Sequence, residues 1–119
     1  MPTDMGPPPS ADATFTRVQT QVFTPQCAIA GCHAGPESAA QEGMALDAGL
    51  SYDAIVRVPS RQMPSLLRVA PADPGNSYLV RKITPGSAIL GAPMPFGATI
   101  TEEDRRLVRD WVARGAPRD

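Results

Sequence analysis

The chain of 119 residues contains one histidine, one tryptophan, two tyrosines and three phenylalanines, a thin aromatic content for a domain that builds its own core. It has no long apolar run, so we expect no membrane-spanning helix. It also lacks a basic stripe, and its 11 basic and 12 acidic residues give a net charge of −1, so we expect no nucleic-acid partner. These shortages favour a small domain whose core is completed by a large apolar ligand.

Residues 1–12 lack both the basic start and the apolar stretch of a secretory signal. Because they are rich in proline, we interpret them as a flexible lead, which in a precursor would follow a removed signal. Residues 13–119 are predicted to form one domain, as the length of the chain also favours. With 14 prolines and 10 glycines, much of that domain should be loop.

Apolar spacing and capping residues predict an all-α domain of a few short helices with long loops. The helices are expected over residues 13–24, 50–58, 75–82 and 102–114. Ser10 or Asp12 should cap the first helix and Ser51 the second. Pro25 should end the first helix because proline lacks the amide hydrogen, and Gly115 should end the last.

The first and last helices carry the clearest apolar stripes, and we expect them to pack on each other. The stripe residues are Phe15, Val18 and Val22 on the first helix, and Leu107, Val108, Trp111 and Val112 on the last. Thr101 should cap the last helix, with Asp104 placed for a capping-box contact. We see no pattern that predicts a β-strand.

The two cysteines and the single histidine form the most informative pattern in the sequence. Four residues separate Cys27 from Cys32, and His33 follows directly. Covalent haem attachment needs two thiols for the porphyrin vinyl groups and an adjacent imidazole for the iron; its usual motif has two residues between the cysteines. The small Ala30 and the flexible Gly31 permit the wider spacing. The pattern predicts one haem c, attached by thioethers at Cys27 and Cys32, with His33 on the iron.

A methionine is the natural sixth ligand because the chain has no second histidine, and a thioether favours ferrous iron. Met94 is the best candidate, since the prolines on both sides of it stiffen its loop. Met63, also next to a proline, is the second choice, and Met44 remains a further candidate.

Two other interpretations of the cysteines remain open. A disulfide between Cys27 and Cys32 would close only a short loop. A zinc site would need a fourth ligand such as Asp47 or Glu37. We find no nucleophile paired with a base, and we predict that the chain is not an enzyme and has no catalytic residues.

Several segments together resemble the single-haem c-type cytochrome domains with a widened haem motif known as planctomycete-type cytochrome c. They are residues 22–33, 43–47, 68–79, 91–95 and 101–116. The resemblance covers residues 15–117, nearly the whole domain. Where the family often has an arginine before the Met-Pro pair, this chain has Ala92 and Pro93.

The resemblance implies a cytochrome c-like fold in which the first and last helices cross beside a haem held in a cleft. It implies His33 as the proximal ligand, Met94 as the distal ligand, and electron transfer outside the cytoplasm, in a periplasmic or other extracytoplasmic space. A lipid anchor in the precursor is an open alternative. We expect a monomer with redox protein partners, whose identities the resemblance does not give.

Two other functions stay open beside electron transfer. An open or labile sixth iron site would suit peroxide chemistry, small-ligand chemistry or sensing. A haem-free chain with a disulfide would be a secreted binding module. If haem is present, one or two side chains should pair with its propionates. The candidates are Arg57, Arg61, Arg68, Arg81 and Lys82, or the donors Tyr52, Tyr78 and Trp111.

Overall fold

A computed structural model describes residues 10–27, 44–84, 89, 94 and 100–119. In this part of the chain there are four short α-helices: α1 (Phe15–Val18), α2 (Ser51–Ile55), α3 (Tyr78–Ile83) and α4 (Glu102–Ala113). A π-helical segment (Gln19–Cys27) continues α1, and a 3-10 turn (Pro74–Asn76) precedes α3. The described residues form isolated β-bridges but no strand, which confirms the predicted helical class. None of the helices described has the length and apolar character that crossing a bilayer requires.

The first helix begins later than predicted and has a different cap. The Thr14 side chain caps α1 by accepting a hydrogen bond from the Arg17 amide at 3.2 Å. Ser10 and Asp12 lie in the turn before it, where the Asp12 amide donates to the Ser10 hydroxyl at 3.2 Å. The prediction that Ser10 or Asp12 caps the helix is therefore wrong. The Ser10 hydroxyl bonds within the preceding turn, and Thr14 occupies the cap position.

The predicted end of the first helix at Pro25 is also wrong, since the π-helical segment continues to Cys27. In an α-helix the amide of residue 25 would donate to the Gln21 carbonyl, and proline has no hydrogen for that bond. The Gln26 side-chain amide donates to the Gln21 carbonyl instead, at 3.0 Å. The segment is π-helical, with backbone bonds that span five residues, so this side-chain bond adds to the backbone pattern, and the chain keeps winding beyond the proline.

Helix α2 is shorter than predicted, and Ser51 is its first residue rather than its cap. The Ser51 side chain is fully buried and donates a hydrogen bond to the Gln19 side-chain oxygen. The helix stops at Ile55 because the following chain pairs with Val69. The Val69 amide donates to the Ile55 carbonyl at 3.1 Å, and the Arg57 amide donates to the Val69 carbonyl at 3.0 Å.

The single helix predicted over residues 75–82 is divided into the 3-10 turn and α3, with Ser77 between them in an extended conformation. The Ser77 hydroxyl donates to the Asp73 carbonyl at 2.9 Å, and the Tyr78 amide donates to the Leu67 carbonyl at 2.9 Å. The local bond to Asp73 and the distant bond to Leu67 together outweigh the helical preference of the sequence. Pro74 begins the 3-10 turn, as proline in a first turn predicts.

Helix α4 has the ends that the sequence predicts. The Thr101 hydroxyl accepts from the Asp104 amide at 3.1 Å, which confirms the cap. Gly115 follows the helix with a φ of 104°. The Ala116 amide then donates back to the Trp111 carbonyl at 3.1 Å, as in a Schellman motif.

The helices share one core, and α1 packs on α4 as predicted. The Phe15 and Trp111 ring centroids are 5.2 Å apart, and the Arg114 guanidinium donates to the Ala13 carbonyl at 2.6 Å. The most deeply buried large side chains are those of Trp111, Phe23, Leu46, Ile55, Val18, Val22, Val69, Val108 and Val112.

Candidate functional site

The structure describes two of the four residues predicted to hold the haem. Cys27 and Met94 lie within the described part of the chain, whereas Cys32 and His33 lie outside it. Glu37, a ligand in the zinc alternative, lies outside it as well. Among the residues described, no three His, Cys, Asp or Glu side chains form a group that could hold a metal ion.

Cys27 is the last residue of the π-helical segment. Its side chain is half-buried and packs against the core. The preceding residue fixes this position, because the Gln26 side-chain amide donates to the Asp104 carboxylate of α4 at 2.8 Å. The winding beyond Pro25 therefore brings Cys27 to the core, and its neighbour Gln26 to the amino-terminal turn of α4.

Met94 is half-buried and packs against the same core. Its backbone amide donates to the Lys82 carbonyl near the end of α3, at 2.8 Å. The chain at Met94 is thus fixed to α3 by a backbone bond, and its side chain contacts the core.

A path of three hydrogen bonds connects the surroundings of Cys27 and Met94, and we call it the α4 path. It begins with the bond from Gln26 to Asp104. The next residue, Arg105, donates from its Nε to the Ile83 carbonyl at 3.1 Å. The neighbouring carbonyl of α3 accepts from the Met94 amide. Gln26, next to Cys27, and the end of α3, which binds the Met94 amide, are therefore both hydrogen-bonded to the amino-terminal turn of α4.

The other methionines considered as ligands have different positions. Met44 also packs against the core. Met63 lies in a local turn, where its amide donates to the Ser60 hydroxyl at 3.2 Å and its carbonyl accepts from the Leu66 amide at 2.8 Å. Met94 is the one that is also linked to the α4 path.

Two of the five basic residues considered for the propionates are buried. Arg68 is 5% exposed and donates to the Ala54 carbonyl at 2.7 Å. Lys82 is 8% exposed, and its ammonium group lies 5.8 Å from the centre of the Tyr78 ring. Both cations have contacts within the protein, as a buried charge requires. The remaining three, Arg57, Arg61 and Arg81, are exposed or half-buried.

The aromatic donors considered for the propionates already donate within the protein. Tyr52 and Trp111 each donate to a backbone carbonyl just after α4, at 2.7 and 2.8 Å. The Tyr78 hydroxyl donates to the Gln62 side chain at 3.0 Å. Each of these side chains has one polar hydrogen, so the described contacts already use it.

Sequence reasoning missed Gln26 and Arg105, which form the α4 path. Gln26 stands next to Cys27 but belongs to no motif, and Arg105 lies outside the apolar stripe of the last helix. No local pattern marks either residue, because each bonds to a segment distant in sequence.

Two of the side-chain groups that a haem c would use lie in the described part of the chain. Cys27 carries a thiol at the edge of the core and Met94 carries a thioether, the groups used for attachment and for the sixth iron position. A scan against protein-family models and searches of the curated proteins and of the solved structures found no match for this chain.

Proposed function

We propose that the chain is a single-haem c-type cytochrome domain that transfers electrons. Its haem would be attached through Cys27 and Cys32, with His33 and Met94 as the axial ligands. The observation that best supports this is the α4 path, which ties the surroundings of Cys27 and Met94 to one turn of one helix. A cytochrome c-like arrangement with crossing terminal helices is supported by the packing of α1 on α4.

Haem, when bound, supplies an iron that gains and loses one electron. The protein's part is to hold, orient and shield it. The thiols of Cys27 and Cys32 would fix its position, the imidazole of His33 would hold one axial position, and the thioether of Met94 would favour the ferrous state. No bond of a substrate is made or broken, so the protein acts as a carrier rather than an enzyme.

The half-buried position of Met94 suits a ligand that must stay in place through many redox cycles. Its amide bond to the Lys82 carbonyl fixes the backbone beside the sulfur, and the core contact limits the access of water. An electron carrier of this kind exchanges electrons with protein partners outside the cytoplasm, where haem is attached to such domains.

The covalent attachment is tested by mass spectrometry of the denatured protein after production in a host that attaches haem. We expect the mass of the polypeptide plus one haem, a Soret band and a positive pyridine haemochrome assay. Cys27→Ser/Cys32→Ser should lose the adduct. The mass of the polypeptide alone, without Soret absorbance, contradicts the proposal, and a lack of titratable thiols would then favour the disulfide-stabilised binding module.

The axial role of Met94 is tested with Met94→Leu, which removes the sulfur but nearly conserves side-chain volume, so stability should change by less than about 1.5 kcal/mol. The long-wavelength absorption band of iron–sulfur ligation in the ferric protein should disappear, the reduction potential should fall, and carbon monoxide should bind readily to the ferrous protein. Met63→Leu and Met44→Leu are the matched controls and should keep the band. A wild-type protein that lacks the band and binds carbon monoxide quickly would instead favour the ligand-binding alternative.

A further inference from the structure

An open groove of about 340 Å³ lies along the amino-terminal half of α4. Its lining residues are Thr84, Glu102, Arg105, Arg106 and Arg109. Three guanidinium groups and one carboxylate give this lining a net charge of +2. We call it the basic groove, and its charge is opposite in sign to the net charge of −1 of the whole chain.

The arginines of the basic groove differ in what they contact. Arg105 forms a salt bridge with Glu102 and donates to the Ile83 carbonyl. Arg106 and Arg109 are exposed, and within the described part of the chain they make no side-chain hydrogen bond or ion pair. Two guanidinium groups thus remain available to an incoming carboxylate, which arginine can bind through two parallel hydrogen bonds.

The sequence that joins α3 to α4 does not neutralise this charge. Residues 85–99 contain no charged side chain, so they bring no carboxylate to the arginines whatever their arrangement.

One residue of the basic groove also belongs to the α4 path. Arg105 lines the groove and donates to the Ile83 carbonyl, next to the Lys82 carbonyl that accepts from the Met94 amide. A molecule seated in the groove would therefore contact the turn of α4 whose side chains bond to Gln26, next to Cys27, and to the end of α3.

We propose that the basic groove is the docking surface for a redox partner protein that presents a carboxylate-rich face, an inference that rests on the proposed function. Exposed charges at the margin of an interface accelerate association and favour partners whose surface carries the opposite charge. They also keep the complex sensitive to salt, because screened charges attract over shorter distances. An electron carrier benefits from both effects, since its complexes must form and separate quickly.

The kinetic test uses the reduced, haem-loaded protein with two small oxidants of opposite charge. Ferricyanide takes one electron from the ferrous protein and becomes ferrocyanide; tris(phenanthroline)cobalt(III) takes one electron and becomes the cobalt(II) complex. No atom is transferred in either step. If electrons leave beside the basic groove, the ferricyanide rate should fall as salt is added, although the net charge of −1 alone would make it rise. The cobalt complex should show the opposite trend.

Arg106→Gln/Arg109→Gln should lower the ferricyanide rate at low salt by roughly three- to tenfold. The matched control is Arg17→Gln/Arg118→Gln, which removes the same charge. Arg17 belongs to α1, and Arg118 follows α4. The control should change the rate by less than about twofold. Both variants should keep the wild-type reduction potential, and a shifted potential in the groove variant alone would mean that its arginines act on the haem and would overturn the docking role.

Binding provides a second readout that does not depend on electron transfer. A hexaglutamate peptide added to the haem-loaded protein should shift the amide resonances of residues 102–109, and the shifts should be lost in Arg106→Gln/Arg109→Gln but kept in the control.

Protein that carries no haem after maturation overturns the proposed function and the docking surface together. Haem-loaded protein that ignores the peptide, or whose ferricyanide rate rises with salt, overturns the docking surface alone. Binding to phosphatidylglycerol vesicles without a response to the peptide would assign the groove to a membrane surface and overturn it as well.

Discussion

Gln26 joins the segment that ends at Cys27 to helix α4, and it does so with a single side-chain amide. That amide donates to the Asp104 carboxylate at 2.8 Å and to the Gln21 carbonyl at 3.0 Å. Gln26→Leu keeps a similar size but leaves both acceptors without this donor. We expect it to lower the free energy of unfolding by about 1–3 kcal/mol, because the partly buried Asp104 carboxylate loses its partner.

Urea denaturation followed by circular dichroism measures this loss. Gln21→Leu is the matched control, since the exposed Gln21 side chain accepts only a surface hydrogen bond from Arg17. It should cost less than about 0.5 kcal/mol. Equal costs for the two substitutions would show that Gln26 does not hold the segment in place.

The stability of the fold depends on pH through the side chain of Asp119. Its carboxylate accepts from the Phe15 amide at 2.9 Å and pairs with the Arg114 guanidinium at 3.1 Å, and these contacts lower its pKa. A carboxyl group with a lowered pKa in the folded state stabilises the fold above the unfolded-state pKa of about 3.9. This contribution is lost as the pH falls from there through the folded-state pKa.

Because the Asp119 side chain is 39% exposed, its contribution should be only a few tenths of a kcal/mol. Wild-type protein and Asp119→Asn are compared by urea denaturation at a series of pH values between about 7 and 2. The wild type should be more stable at the higher values, and the difference should vanish at the lowest. A difference that stays constant with pH would mean that the charge of Asp119 plays no part.

At the scale of the helix, α4 depends on the left-handed backbone of Gly115, whose φ is 104°. Gly115→Ala should destabilise the protein by about 1–2 kcal/mol, because a side chain disfavours this backbone region. A Cβ at this position would meet no other atom within 4 Å, so backbone strain alone sets the cost. The measurement is the midpoint of thermal unfolding.

Gly75→Ala is the control for that substitution. A Cβ at Gly75 would also meet no atom within 4 Å, and its backbone is outside the left-handed region. The control should be neutral or slightly stabilising, because alanine restricts the unfolded chain. If both alanines cost the same, the end of α4 would not depend on the conformation of Gly115.

The predictability of each helix follows from where its hydrogen bonds lie. Helix α4 was predicted with its cap and its end because Thr101 and Gly115 act on backbone groups within one turn. The other helices end where distant segments intervene. Val69 stops α2, and the Leu67 carbonyl holds Tyr78 at the start of α3. The spacing of apolar residues does not predict such contacts. The existence and the order of the helices were therefore predicted better than their lengths.

The π-helical segment shows a different limit of the sequence pattern. Proline predicts the end of an α-helix because of the bond it cannot make, and that rule failed at Pro25. The Gln26 side chain donates to the Gln21 carbonyl, and the buried Gln19 side chain donates to the Leu46 carbonyl at 2.9 Å. Side-chain hydrogen bonds of this kind depend on the surrounding fold, so the periodicity of apolar residues does not predict them.

Over the whole molecule, the sequence predicted the candidate residues but not what brings them together. Cys27 and Met94 were chosen for their chemistry and neighbours, and both were found half-buried against one core. The α4 path that connects their surroundings could not be predicted, because it joins three segments far apart along the chain. The assignments of Cys32 and His33 remain predictions from the sequence.

The core itself bears on the proposed haem, since Cys27 and Met94 both contact it. If haem completes the core, protein with attached haem should be more stable than the same chain without it, by at least about 2 kcal/mol, because the attached haem buries its apolar surface only in the folded state. Unfolding in urea can be followed by the fluorescence of Trp111, the single tryptophan, which is fully buried.

Cys27→Ala/Cys32→Ala removes both side chains that would attach the haem. Produced in the haem-attaching host, this variant should unfold at a lower urea concentration than the wild type, because it cannot hold the cofactor covalently. Produced without the attachment machinery, the two chains should differ by only about 1 kcal/mol, the cost of small packing losses at the edge of a core. If wild-type protein unfolds at the same urea concentration with and without haem, the cofactor is not part of the core, and the thin aromatic content of the chain needs another explanation.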